Sequence, residues 1–96
     1  NMGTAEASGE TAGGEQVAAT IEGFAFNPGT IEIKAGTTVT WTNNDSAPHT
    51  VTADDGSFQS GKMDQGATFS YTFTEPGTYT YHCEYHANMT ATVVVS

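Results

Sequence analysis

Near its C-terminal end the chain reads Thr78-Tyr79-Thr80-Tyr81-His82-Cys83, followed at once by Glu84-Tyr85-His86-Ala87-Asn88-Met89. Side chains on a strand alternate between its two faces. Tyr79, Tyr81 and Cys83 therefore share the face that looks into a core, with Cys83 inward at the strand's end. Thr78, Thr80 and His82 share the face that looks out. After Cys83 the alternation stops, and the chain must fold back through a short loop before the β-branched run Thr92 to Val95.

The same alternation recurs upstream in Val39 and Trp41 against Thr38, Thr40 and Thr42. It recurs again in Phe69, Tyr71 and Phe73 against Thr68, Ser70, Thr72 and Thr74. Short runs of this kind predict strands over 17–21, 30–34, 37–43, 49–53, 67–73, 78–83 and 92–95. Turn-forming residues separate them, among them Asn27-Pro28-Gly29, Asn43-Asn44-Asp45, Asp54-Asp55-Gly56 and Glu75-Pro76-Gly77. Residues 57–65 show no strand period and are expected to form a loop with at most one turn of helix. Leucine and arginine are absent while Thr, Val, Ile, Tyr and Phe abound, which favours strands. The expected fold is all-β, a Greek-key sandwich or barrel of about seven to eight strands.

With 96 residues there is room for one small domain. Residues 1–16 are rich in Ala, Gly, Thr, Ser and Glu, with Met2 the one large apolar side chain, and read as a flexible tail or tether. The folded domain is then 17–96. Eleven acidic residues against two basic ones leave a formal charge of −9, which works against binding nucleic acid or anionic lipid and favours basic or neutral partners. No apolar run approaches the roughly 18 to 20 residues that cross a bilayer. A single cysteine forms no internal disulfide and no Cys-x-x-Cys pair.

Chemistry concentrates in the loop after Cys83. Cys83, His86 and Met89 stand at spacing C-x2-H-x2-M, so a thiolate, an imidazole and a thioether can converge on one ion. This mixture of soft and borderline donors suits copper, for which two histidines, a cysteine and a weak axial methionine form the blue-copper arrangement. The second histidine is His49, since Pro48-His49 opens the expected strand after the turn at 43–47 and so stands at a sheet end.

These residues, together with Val39-Thr40-Trp41, Thr72-Phe73-Thr74-Glu75-Pro76-Gly77-Thr78-Tyr79, Tyr81-His82-Cys83 and Val93-Val94-Val95, make the chain resemble the cupredoxins, the small type 1 copper proteins of the plastocyanin and amicyanin kind. The loop is the short, amicyanin-like version. The resemblance implies equatorial ligands His49, Cys83 and His86 and an axial Met89, with both imidazoles binding through Nδ1 and Nε2 of His86 reaching the surface. It also implies a corner-bonding role for Tyr79.

The chain departs from that pattern at three places. Thr50 stands where relatives often have Asn, so the bond tying the two ligand loops is expected to be weaker or to come from a hydroxyl. The Thr50 backbone N–H can still donate to the Cys83 sulfur. Ala87 and Asn88 replace a proline and a bulky apolar residue, and Ala91 replaces a glycine, changes that bear on tuning and partner fit more than on ligation.

The function implied is single-electron transfer by one type 1 copper ion cycling between Cu(I) and Cu(II). Partners would be redox proteins such as a c-type cytochrome or a membrane oxidoreductase, docking on an apolar patch of Ala47, Pro48, Ala87 and Met89 around His86. A copper carrier or storage protein of the same fold is the alternative, although three histidines and three methionines are few for an open carrier site. An enzyme is not expected: His82-Cys83-Glu84 lacks the second flanking histidine that wires a multicopper centre, and a two-cysteine CuA site is excluded. Asp45, Asp54, Asp55, Asp64, Glu75 and Glu84 are read first as solvated carboxylates, with docking to a basic partner the competing reading. A monomer in the periplasm or another extracytoplasmic space is expected, with the leader acting as a spacer after a cleaved signal or a lipid anchor.

Overall fold

The computed structural model describes residues 15–96, which form eight strands in two four-stranded sheets, with no helix among the described residues. In chain order the strands are β1 (Gln16–Ile21), β2 (Phe26–Asn27), β3 (Thr30–Ile33), β4 (Thr37–Asn43), β5 (Thr52–Ala53), β6 (Thr68–Phe73), β7 (Gly77–His82) and β8 (Thr90–Val95). One sheet has the order β2-β1-β4-β6 and the other β3-β8-β7-β5. The β1–β4 and β3–β8 pairs are parallel, and the other neighbours are antiparallel.

Alternation places the core as expected. Val39 and Trp41 of β4, Phe73 of β6, Tyr81 of β7 and Val93 of β8 are all buried between the sheets. On the opposite face of β4 and β6, hydroxyls pair across the strands, Thr38 with Thr72 and Thr40 with Ser70, each at 2.7 Å. Trp41 is the hub of the core: its ring lies 5.4 Å from that of Tyr81 and 6.0 Å from that of Phe58, and its Nε1–H donates to Tyr81 Oη at 3.2 Å. Burial pushes the Tyr81 phenol up to about 12, against the smaller opposing effect of the Trp41 hydrogen bond. Phe58 and Met63 anchor the long 57–65 segment by burying into this core. Each such fully buried large side chain contributes about 1.5–3 kcal/mol. Tyr79 makes the corner bond, its Oη donating to the Glu75 carbonyl at 2.8 Å.

Several boundaries differ from the sequence reading. Gln16, assigned to the tail by composition, begins β1 opposite Thr38; residues 1–14 of the expected tail lie outside the described residues. The two-residue β2 pairs with β1 in a hairpin that short-range pattern did not reveal. Of the expected strand at 49–53, only Thr52–Ala53 joins a sheet, because upstream backbone donors go elsewhere. The Thr50 N–H points at the Cys83 sulfur, and the Val51 N–H at Ser60 Oγ, 2.8 Å away. Cys83 lies one residue beyond β7, since its N–H turns to the Met89 carbonyl at 3.1 Å and closes the following loop.

Candidate metal centre

At one end of the sandwich the parallel strands β1 and β4 finish side by side, Ile21 opposite Asn43. The β1–β2 turn, the β4–β5 connection and the β7–β8 loop meet there. Asn43, fully buried at the end of β4, organises the middle one. Its Nδ2 donates to the carbonyls of Ala47 (3.0 Å) and Met63 (2.9 Å), and its Oδ1 accepts the Asp45 N–H at 2.9 Å. Met63 and His49 then exchange two backbone hydrogen bonds, of 3.1 and 2.8 Å. Both backbone polar groups of His49 are thereby held by a buried methionine, whose carbonyl is itself gripped by Asn43 at the strand end.

The β7–β8 loop is closed as firmly. Cys83 N–H donates to the Met89 carbonyl, and Met89 N–H donates to the His86 carbonyl at 2.9 Å, so that seven residues return on themselves with Cys83 and Met89 inside. Thr50 ties the two loops together. Its N–H donates to Cys83 Sγ at 3.4 Å, and its hydroxyl accepts the Glu84 N–H at 2.8 Å while bonding Thr52 Oγ1 at 3.0 Å. Thr52 in turn donates to Gln59 Oε1 at 2.7 Å. The cross-link expected from a hydroxyl in place of an amide is present.

Among the described residues, His49, Cys83 and His86 form a group of metal-capable side chains whose donor atoms all lie within 4.8 Å of one another. Cys83 Sγ is 3.6 Å from Nδ1 of His49 and 3.6 Å from Nδ1 of His86. A thiol can donate its one proton to only one of these two nitrogens. A first-row ion with bonds of about 2.0 Å to nitrogen and about 2.3 Å to sulfur, at trigonal angles, holds such atoms about 3.7 Å apart. The triangle therefore fits an ion at its centre, and a donor set of one sulfur and two imidazoles suits copper. His49 and Cys83 are 0% and 1% exposed, Met89 2%, and His86 is half-buried.

Two residues that sequence reasoning left aside complete the surroundings. Asp45, read from the sequence as one of several solvated carboxylates, turns instead toward the site: its Oδ2 lies 2.9 Å from His49 Nε2. Its carboxyl is held below the usual range by hydrogen bonds from the Phe24 N–H first, then the His49 side chain and the Gly23 N–H, against partial desolvation. Phe24, which no pattern singled out, stands edge-on to both imidazoles, with ring centroids 5.2 Å from His49 and 4.9 Å from His86. The sequence signal for Asp45 was its place four residues before His49; for Phe24 there was none, because the contact is made across a turn in another part of the chain. The expected surface patch changes accordingly. Met89 is buried and does not contribute to it, and the large exposed apolar side chains at this end are Phe24 and Tyr85, 52% and 50% exposed, beside half-buried Ala47 and Pro48. His82 points away from the site and pairs with Asp54.

Comparison with known proteins places these features. Residues 14–96 match the model of the copper binding proteins, plastocyanin/azurin family. The chain is 42% identical to a chloroplastic plastocyanin of Hordeum vulgare over 75 residues, covering 67% of this chain and 48% of that protein. It is 39% identical to the amicyanin of Paracoccus denitrificans over 70 residues, covering 68% of this chain and 53% of that protein. The chain thus spans about half the length of these two relatives. A solved Cu(I) form of an amicyanin variant superposes with a TM-score of 0.79 at 36% identity, covering 91% of this chain and 87% of the other.

Proposed function

We propose that this chain, which belongs to the plastocyanin/azurin family of copper-binding proteins, shuttles single electrons between redox proteins by way of a single type 1 copper, which His49 Nδ1, Cys83 Sγ, His86 Nδ1 and Met89 would hold. When bound, copper supplies a one-electron couple between Cu(I) and Cu(II). The observation that carries this reading is the triangle of donors, two imidazole nitrogens each 3.6 Å from one buried sulfur.

The surrounding residues do the work that an electron carrier needs. Asn43 and Met63 hold His49 from the backbone side, and the Cys83–Met89 and Met89–His86 backbone bonds hold the loop, so donor positions do not depend on the charge between them. A site of that kind reorganises little when an electron arrives or leaves. The Thr50 N–H stabilises negative charge on the Cys83 sulfur. Burial of His49, Cys83 and Met89 keeps water out and works against release of the ion to another protein, which favours the electron carrier over a copper carrier or storage role. His86, half-buried next to exposed Phe24 and Tyr85, is the route by which an electron reaches the surface.

The partner is a redox protein, a c-type cytochrome or a membrane oxidoreductase, and a formal charge of −9 steers toward a basic docking face. Electron transfer without substrate turnover is the activity, and a monomer in an extracytoplasmic compartment is its setting, the periplasm if the source is bacterial. The residues that precede β1 act as a spacer ahead of the domain and serve as its tether.

Loading the purified chain with copper tests the reading. The wild type is expected to show an intense visible thiolate-to-copper absorption, and Cys83→Ser to lose it. A copper-loaded wild type without that band overturns the assignment.

A further inference from the structure

The Asp45 carboxylate has three hydrogen-bond donors, and each of them leads back to the metal centre. Its Oδ1 accepts the Gly23 N–H at 2.9 Å, and its Oδ2 accepts both the Phe24 N–H at 2.9 Å and the His49 ring at 2.9 Å. An ionised carboxylate can only accept, so the neutral His49 ring carries its proton on Nε2. That leaves Nδ1, the atom 3.6 Å from Cys83 Sγ, as a free lone pair. The side chain of Asp45 is 13% exposed and that of His49 fully buried, so the contact is shielded from competing water.

The other two donors come from a strained turn. Gly23 and Phe24 have φ of 65° and 57°, the two consecutive positive values that a type I′ hairpin turn requires. Glycine adopts this freely, whereas for phenylalanine it costs about 1–2 kcal/mol. Two successive N–H groups in such a turn point the same way and form a concavity that binds an anion. Here the anion is Asp45, and its hold on the turn keeps the Phe24 ring across both imidazoles.

We propose that Asp45 is a positioning residue of the metal centre: its carboxylate holds His49 in the Nε2–H tautomer, latches the Gly23–Phe24 turn over the two imidazoles, and lowers the reduction potential of the bound copper. A carboxylate hydrogen-bonded to a ligating imidazole increases its donor strength and orients it. The negative charge favours Cu(II) over Cu(I). This inference rests on the reading of His49 as a ligand, and one half of its test does not involve metal.

In the copper-free wild type, nitrogen NMR is expected to show His49 as the Nε2–H tautomer, with the Gly23 and Phe24 amides slow to exchange. Asp45→Asn loses the charge and one acceptor oxygen, and should speed exchange of at least one of those amides tenfold or more and mix the tautomers. Asp45→Glu should restore the tautomer. After copper loading, Asp45→Asn should keep the visible absorption and show a higher reduction potential than the wild type. A wild type with His49 protonated on Nδ1 overturns the inference outright, as does an Asp45→Asn variant matching the wild type in tautomer, exchange and potential. A colourless copper-loaded wild type would instead defeat the ligand assignment, and the copper-free measurements would still decide the latch.

Discussion

The Phe24 ring meets the His86 imidazole at right angles, centroids 4.9 Å apart and planes at 88°, although the two residues lie on different sheets' connections. Phe24 is thus a surface residue whose buried edge is built from a proposed copper ligand, and it combines two opposing energies. Its backbone occupies a left-handed conformation at a cost of about 1–2 kcal/mol, and its aromatic contacts contribute about 0.5–1.5 kcal/mol.

Phe24→Gly removes the ring and relieves the backbone together. Urea unfolding is expected to change by less than about 1 kcal/mol, while Phe24→Ala, which keeps the strain and loses the ring, is expected to be the less stable of the two. In both variants the ring-proton resonances of His49 and His86 should shift as the neighbouring ring current disappears. Unmoved histidine resonances would show that the ring does not cover them in solution.

Thr50 separates its backbone role from its side-chain role. Thr50→Ala leaves the N–H that reaches Cys83 Sγ but takes away the acceptor of the Glu84 N–H. The expected loss is about 1–2 kcal/mol of stability, measured by chemical denaturation, with the visible absorption of the copper-loaded protein retained. Thr50→Ser keeps the hydroxyl and should recover most of that loss. Equal stabilities for the Ala and Ser variants would remove the hydroxyl cross-link from the account.

Tyr81 gives a pH dependence whose sign follows from its burial. Its phenol ionises near 10 when unfolded and only at about 12 in the folded protein. The unfolded chain therefore loses this proton first. The contribution to stability is complete below about pH 10 and is lost as pH rises toward 12. Alkaline titration of the folded protein should show one late phenolate step that is missing in Tyr81→Phe, and the variant's stability should fall less steeply across that window. A full complement of phenolate appearing near pH 10 in the folded wild type would refute it.

Residues close together in order were legible without coordinates. The period-two pattern identified Val39, Trp41, Phe73 and Tyr81 as core, because a strand's side chains alternate whatever the sheet around it. The C-x2-H-x2-M loop exposed its chemistry for a similar reason: seven residues are too few to separate a thiol from an imidazole by much. His49 stood out through its neighbour Pro48 and its place after the turn at 43–47, at the start of an expected strand. The boundaries at Gln16 and at 49–53 were not, since they depend on where backbone donors find acceptors, and those acceptors belong to distant strands and to side chains of Ser60 and Cys83.

The amino-acid order alone thus determined an all-β chain with four side chains suited to copper, through local alternation, turn chemistry and donor type. Tertiary structure decided what surrounds them. The parallel pairing of β1 with β4 carries the Gly23–Phe24 turn to the end of Asn43, so that Asp45 and Phe24 close on the histidines. That pairing joins segments some twenty residues apart by backbone hydrogen bonds, which nearly any side chain permits, and so it leaves little trace in the identity of the residues it brings together.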